Sequence, residues 1–298
     1  MIRRLFWQAL GLGLAALALC VAIAAVRVGP IDVRGLASRP PGRTAMMLER
    51  EREAREQKRY YQESWHWVPL ERISATLRRA VLVAEDDKFF THDGLDWDEI
   101  RISAQRNLRA HKIVRGGSTI TQQLAKNLWL GSSRTPWRKF EELILAVRLE
   151  KALTKRRILE LYLNTIEWGD GVYGIDAAAR HWFGVSAAGL DASQAIRLAA
   201  VIINPRRFSP VEPNARIENR IQMIASRLRR RGAISEQDYR VTLGLPPEAP
   251  APAIDSTLFA APDTSHAPPG GPGPEGEPAI PVPAEERPDS TTTDTLLR

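Results

Sequence analysis

One cysteine in 298 residues, Cys20, rules out a disulfide within the chain, so an exported domain must be held by its core alone. Charged side chains are missing from Leu5 to Val26, a run of 22 residues. At about 1.5 Å per helical residue that run can cross a hydrocarbon core of about 30 Å. A secretory signal is the alternative, but its apolar region is usually about 7 to 15 residues and ends at a small-x-small site. The run is therefore read as a transmembrane helix, with Arg3 and Arg4 placing the N-terminus in the cytoplasm and the rest of the chain outside.

Lysine is absent from Pro246 to Arg298, a stretch that carries 13 of the 21 prolines. Its nine acidic residues and two arginines give −7, which leaves +14 of the total +7 for residues 1–245. A proline-rich acidic tail of this kind cannot bury enough apolar surface to fold and is expected to be disordered. A body so basic suits an anionic partner, and export disfavours nucleic acid. Strand-like alternation is scarce. The chain divides into a cytoplasmic end (1–4), a membrane helix (5–28), a juxtamembrane connector (29–59), an all-α domain (60–245) and the tail (246–298).

Ile73, Leu77, Ala80, Val81 and Ala84 recur at three and four residues, which predicts a helix with one buried stripe and Ser74 as its N-cap. Glu85 falls at the end of that helix, followed by Asp86, Asp87, Phe89, Phe90 and His92. A carboxylate at a helix C-terminus opposes the macrodipole and, if shielded, has a raised pKa suited to a general base. Three solvated loop acids are the plainer alternative.

In RGGSTITQQLAKN, Arg115 precedes a tight turn at Gly116 and Gly117. Ser118 is the expected N-cap of a helix burying Ile120, Leu124 and Leu128. Thr119, Gln123, Lys126 and Asn127 then share one polar stripe with a single cation, a composition suited to sugar hydroxyls and diphosphate oxygens. Free N–H groups at the helix start beside Arg115 would favour an anion. Further on, Glu142 sits on a long helix whose apolar face is read as Leu143, Ala146, Val147, Leu149 and Leu153. Arg138 lies one turn before Glu142 and Lys139 beside it, an arrangement that elsewhere is commonly a surface ion pair.

Taken in order, these segments resemble glycosyltransferase family 51, the peptidoglycan glycosyltransferases. The first motif is matched by Glu85, Asp86, Phe89, His92 and Gly94. The second is matched by Gly116 to Thr119, Thr121 to Gln123, Lys126 and Asn127, and the third by Arg138, Lys139, Glu142 and Lys155. A fourth is matched by Gly171, Tyr173, Gly174, Ala178, Ala179, Phe183 and Gly184, and a weaker fifth by Asn204 and Pro205. The likeness runs from about Trp67 to Pro210. With no SxxK and no KTG, the chain is most similar to the monofunctional biosynthetic members.

The resemblance implies a lysozyme-like helical head with a smaller membrane-facing lobe. It also implies polymerisation of lipid II into β-1,4-linked glycan on the periplasmic face of a bacterial inner membrane. By the same likeness Glu85 is the general base on the acceptor 4-hydroxyl, and Glu142 serves the departing diphosphate as a proton donor or by positioning a divalent cation. Thr119, Gln123, Lys126, Asn127, Arg138 and Lys139 match substrate-binding positions, whereas Asp86, Phe89, His92, Gly117 and Ser118 shape the cleft. No cofactor is expected beyond an optional Mg or Mn ion. Lipid II, the nascent strand, the membrane and other cell-wall proteins are the expected partners. At the fifth motif one donor-site contact is either absent or supplied by Arg206 or Arg207, and Trp129, Leu130 and Trp137 are candidates for the membrane interface or the core. A lytic transglycosylase, which would need only one glutamate, and an idle scaffold stay open as alternatives.

Overall fold

The computed structural model describes residues 2–110, 117–132, 135 and 137–247. The expectations for Arg115 and Gly116, and for the acidic tail beyond Pro247, lie outside the described residues. The chain is mostly helical. The eleven α-helices among the described residues are α1 (Ile2–Val28), α2 (Ala45–Glu56), α3 (Ala75–Glu85), α4 (Trp97–Ala110), α5 (Ile120–Ala125), α6 (Arg138–Ala152), α7 (Lys155–Thr165), α8 (Ile175–Phe183), α9 (Ala192–Val201), α10 (Ala215–Arg230) and α11 (Glu236–Thr242).

Local chemistry starts most of these helices. Thr44, Ser74, Thr154, Asp191, Asn214 and Ser235 each accept a hydrogen bond from the backbone N–H three residues on. Each such cap satisfies one of the orphan donors at a helix start and is worth about 1 kcal/mol. Ser74 caps α3 as the spacing predicts, and Ile73, Leu77, Ala80 and Val81 are buried. Ala84 is only half-buried, and Val83 takes the inward position instead.

Two expectations shift. The cap of α5 is Thr119, one residue later than Ser118, because Thr119 Oγ1 accepts from Gln122 N at 3.3 Å. Ile120, Leu124 and Leu128 are buried as expected. On α6 the inward residues are Leu145, Ala146 and Leu149, with Leu143 and Val147 only half-buried, so the stripe is rotated from the one read in the sequence. Glu141 and Glu142 share this buried side.

An all-α body is also too simple. Ser64–Trp65 (β1), Glu167–Gly169 (β2) and Val172–Tyr173 (β3) make a small sheet in the order β1-β3-β2, parallel between β1 and β3 and antiparallel between β2 and β3. Strands of two or three residues are too short to leave a period in the sequence.

The core joins α3, α5, α6, α7, α9 and α10, with Leu77, Leu124, Leu145, Ile158, Leu198 and Ile224 among its fully buried members. Trp129 and Leu130 are half-buried against it, and Trp137 is half-buried as well. Within the segment read as a connector, α2 is docked through Met46, Met47 and Ala54, and it packs on the π-helical turn Lys126–Leu130 that follows α5. Among the described residues one helix, Arg3–Val28, is long and apolar enough to cross a membrane.

Candidate functional site

A cleft of about 640 Å³ opens at the end of α3, lined by Glu85, Asp86, Asp87, Ser118, Thr119, Gln123, Ile203 and Arg220 among others. Glu85 enters it from the last residue of α3, its side chain 12 % exposed. Gln123 Nε2 donates to its Oε2 at 3.0 Å, and Arg220 donates to its Oε1 at 2.9 Å. Burial raises the Glu85 pKa above the usual carboxylate range, and this outweighs the opposing pull of Arg220 and Gln123.

Gln123 is itself fixed from behind. The fully buried Tyr162 donates its hydroxyl to Gln123 Oε1 at 2.9 Å, which settles the amide's orientation and leaves Nε2 for Glu85. Burial holds the Tyr162 pKa well above that of a free phenol.

Beside Glu85, Asp86 lines the same cleft and works as a bracket. Its carboxylate meets His92 Nε2 at 3.0 Å and accepts from Ile120 N at the start of α5 at 3.0 Å. His92 Nδ1 accepts from Gly94 N, so in the neutral ring the proton lies on Nε2, facing Asp86. Thr119 is buried and donates to Gly94 O at 2.7 Å. It therefore belongs to the bracket rather than to an open polar stripe. Phe89 is buried beneath Lys155, whose ammonium lies 4.5 Å from the ring centre, and next to His92; Phe90 points to solvent.

Glu142 is reached from the other side of α5. Its carboxylate, 5 % exposed, accepts from Arg138 at one oxygen and from Lys139 Nζ at 2.8 Å at the other. It is a buried carboxylate held by two partly exposed cations, not the surface pair that i, i+4 spacing usually gives. Lys139 also reaches Ser118 Oγ at 3.0 Å and Gln122 Oε1 at 3.2 Å, which ties this cluster to the rim of the Glu85 cleft. Lys126 belongs to the same field. Burial lowers its pKa against the attraction of Glu142, and Arg138, Lys139 and Arg50 push the same way as burial.

Asn127 donates to Gln123 O and is buried, so it stiffens the turn below Gln123. Gly117 lies against the backbone of Ile100, where an added Cβ would come within 3.4 Å of Ile100 Cα. The sequence-predicted residues thus divide between the cleft at Glu85 and the ion cluster at Glu142, joined by the Lys139–Ser118 contact.

Three side chains were missed. Arg220 lies 135 residues from Glu85 on an arginine-rich helix, and its only signal was its place among Ile217, Ile221 and Ile224. Tyr162 could have been found as a phenol inside the apolar run ILELYLN, since a buried hydroxyl needs a partner. Gln122, nearly inaccessible, reads as one more residue of the polar repeat. Arg206, a candidate replacement at the donor site, is instead engaged by Glu53 at 3.1 Å and Asp170 at 3.3 Å.

For a divalent ion the donors fit poorly. Both oxygens of Glu142 are taken by cations, and among the described residues no group of three or more His, Cys, Asp or Glu side chains is placed to hold a metal ion.

Residues 51–229 match the family described as transglycosylase. The chain is 51 % identical over 163 residues to a biosynthetic peptidoglycan transglycosylase of Methylobacillus flagellatus, covering 55 % of this chain and 71 % of the relative. Proteins of the same description from Bordetella avium and Laribacter hongkongensis are 47 % identical over 197 residues and 46 % over 188. These cover 65 % and 63 % of this chain, and 82 % of each relative.

Proposed function

Because this chain belongs to the transglycosylase family and is a glycosyltransferase of peptidoglycan synthesis, we propose that Glu85 is its general base and that Glu142 organises the cations which receive the leaving diphosphate. The observation that carries this division is the unlike setting of the two carboxylates. Glu85 is buried, with a raised pKa and one cation held at its outer oxygen, whereas Glu142 has a cation on each oxygen.

In the step proposed, the 4-hydroxyl of the acceptor lipid II gives its proton to Glu85 as its oxygen attacks C1 of the donor sugar. The C1–O bond to the diphosphate breaks on the opposite face, and the electron pair leaves with the phosphate. Inversion yields the β-1,4 link. Arg220 and Gln123 keep Glu85 ionised and aimed, while burial gives it the basicity that an alcohol proton demands. Arg138, Lys139 and Lys126 meet the negative charge that grows on the diphosphate, in a site where charge is poorly screened. A divalent ion, if one takes part, would arrive on the substrate's own phosphates, and no step here needs it.

The proposal includes a lysozyme-like arrangement of the helical head, a cytoplasmic N-terminus and a catalytic body on the outer face of the inner membrane. Support comes from the apolar helix α1 and from Arg3 and Arg4 at its start. Incubating the purified full chain with labelled lipid II tests the function. Long glycan is the expected product, and conversion of finished glycan to shorter 1,6-anhydro fragments without polymerisation would overturn it.

A further inference from the structure

The residues of α1 that lose exposure are Cys20, Ile23, Ala24 and Val28, spaced by three, one and four, and α1 packs on α6. Two arginines fasten this contact. Arg27 Nε donates to Glu141 Oε1 at 2.6 Å, and Glu141 is 5 % exposed although Arg27 is 60 % exposed. From α6, Arg148 spreads its guanidinium over the end of α1, donating to Val28 O and Ile31 O at 2.5 Å each. Val28 O belongs to the last turn of α1, at the negative end of the helix dipole, where a cation is favoured. One helix further on, Arg157 of α7 donates to Leu36 O at 2.8 Å and Arg39 O at 2.9 Å. The chain leaving the membrane helix is therefore gripped at each step from Arg27 to Arg39 and does not form a free tether.

Glu141 and Glu142 are consecutive residues of α6, one bonded to the anchor and the other to Arg138 and Lys139. The Arg27–Glu141 contact sets the first turn of α6 beside the residue that directly follows the apolar run Leu5–Val26. That is the level of lipid headgroups, which is where a diphosphate on a polyprenyl chain sits.

We infer that Arg27, Glu141 and Arg148 are positioning residues that use the membrane helix as a gauge, setting the height of the Arg138–Lys139–Glu142 cluster to that of a membrane-bound diphosphate. This rests on the functional reading above. An anchor that merely tethered the body would leave the turnover of bound enzyme unchanged when its grip was cut. A gauge changes it, because misplacing reacting groups by about 1 Å can cost about 100-fold.

The test compares two substrates for the same full-length variants: long-chain lipid II in vesicles, and a short-chain analogue soluble in water, which has no fixed height. Arg27→Glu is expected to lose at least about tenfold on the long-chain substrate, to keep its rate on the soluble one, and to remain in the vesicles. The exchanged pair, Arg27→Glu with Glu141→Arg, should recover most of the loss. Equal losses on both substrates, no loss in vesicles, or no recovery in the exchanged pair would overturn the inference. If the reversed charges prevent folding, Arg27→Gln and Glu141→Gln replace them in a double-mutant cycle. A combined loss no larger than either single loss supports the gauge, and additive losses overturn it. A wild-type chain inactive on both substrates overturns the functional reading and the inference with it.

Discussion

Arg220 of α10 and Glu85 of α3 meet at 2.9 Å across 135 residues of sequence, and this contact opposes the burial that raises the pKa of the proposed base. Burial raises the Glu85 pKa, so the protonated form persists to higher pH than in an ordinary carboxylate, whose pKa is about 4.3. The rate on lipid II should therefore fall on the acid side with a midpoint above that value. Arg220→Ala removes a cation that lowers the pKa, so the acid limb should move to still higher pH. A pH–rate profile of both proteins checks it, and an unmoved limb would detach Glu85 from the proton transfer.

Glu85→Gln should lose about 10²- to 10⁴-fold or more in polymerisation. Its stability should not fall at neutral pH. A carboxylate whose folded pKa is raised favours the folded state below its unfolded pKa, and that contribution is lost as pH rises through the folded value. Glutamine lacks this loss. Thermal denaturation at pH 7 beside the polymerisation assay tests both halves of the statement.

Much of this arrangement was legible in the sequence, since Ser74 and the apolar spacing of α3 foretold where Glu85 would end. The polar repeat after Ser118 likewise marked the wall opposite it. What stayed hidden depended on neighbours distant in sequence. Nothing in α6 alone says that Glu141 and Glu142 point inward, because the partners that make this tolerable include Arg27 of α1. Thr119 reads in the sequence as part of a substrate-binding polar stripe, whereas its hydroxyl is spent on Gly94 O, 25 residues away. On α10 the sequence offers Arg216, Arg220, Arg227, Arg229 and Arg230, and only the packing of α3 and α9 selects Arg220 as the partner of Glu85.

Glu142→Gln should lose roughly 10²-fold, less than Glu85→Gln, because Arg138, Lys139 and Lys126 remain to receive the diphosphate. It should also weaken the fold by about 1 kcal/mol or more, since two cations lose their counter-charge, although both are partly solvated. Single-turnover rates together with urea titration separate the two effects.

Tyr162→Phe should cost about 1–2 kcal/mol, as Gln123 Oε1 is left without its buried donor. Freed to rotate, Gln123 would no longer favour the ionised Glu85. Turnover should drop and the acid limb should shift upward in the same direction as for Arg220→Ala. A change in stability with an unchanged pH profile would mean that Tyr162 supports the core only.

Gly94→Ala should destabilise by about 1–3 kcal/mol. The backbone there has φ of 87°, and an added Cβ would lie 2.9 Å from Glu150 Cγ. Because Gly94 also receives Thr119 and donates to His92 Nδ1, the start of α5 should loosen with it. Amide hydrogen exchange at residues 119–123 provides the measurement.

The wide turn at Lys126–Leu130 closes with Gly131 N donating five residues back to Lys126 O at 2.9 Å. An α-helix would close the same path with one residue fewer, and each residue turns a helix by about 100°. Deleting any one residue here would thus swing Trp129 and Leu130 away from α2 while leaving Gln123 in place. The segment looks like ordinary amphipathic helix, yet its length is fixed: substitutions should be absorbed far more readily than a single-residue insertion or deletion.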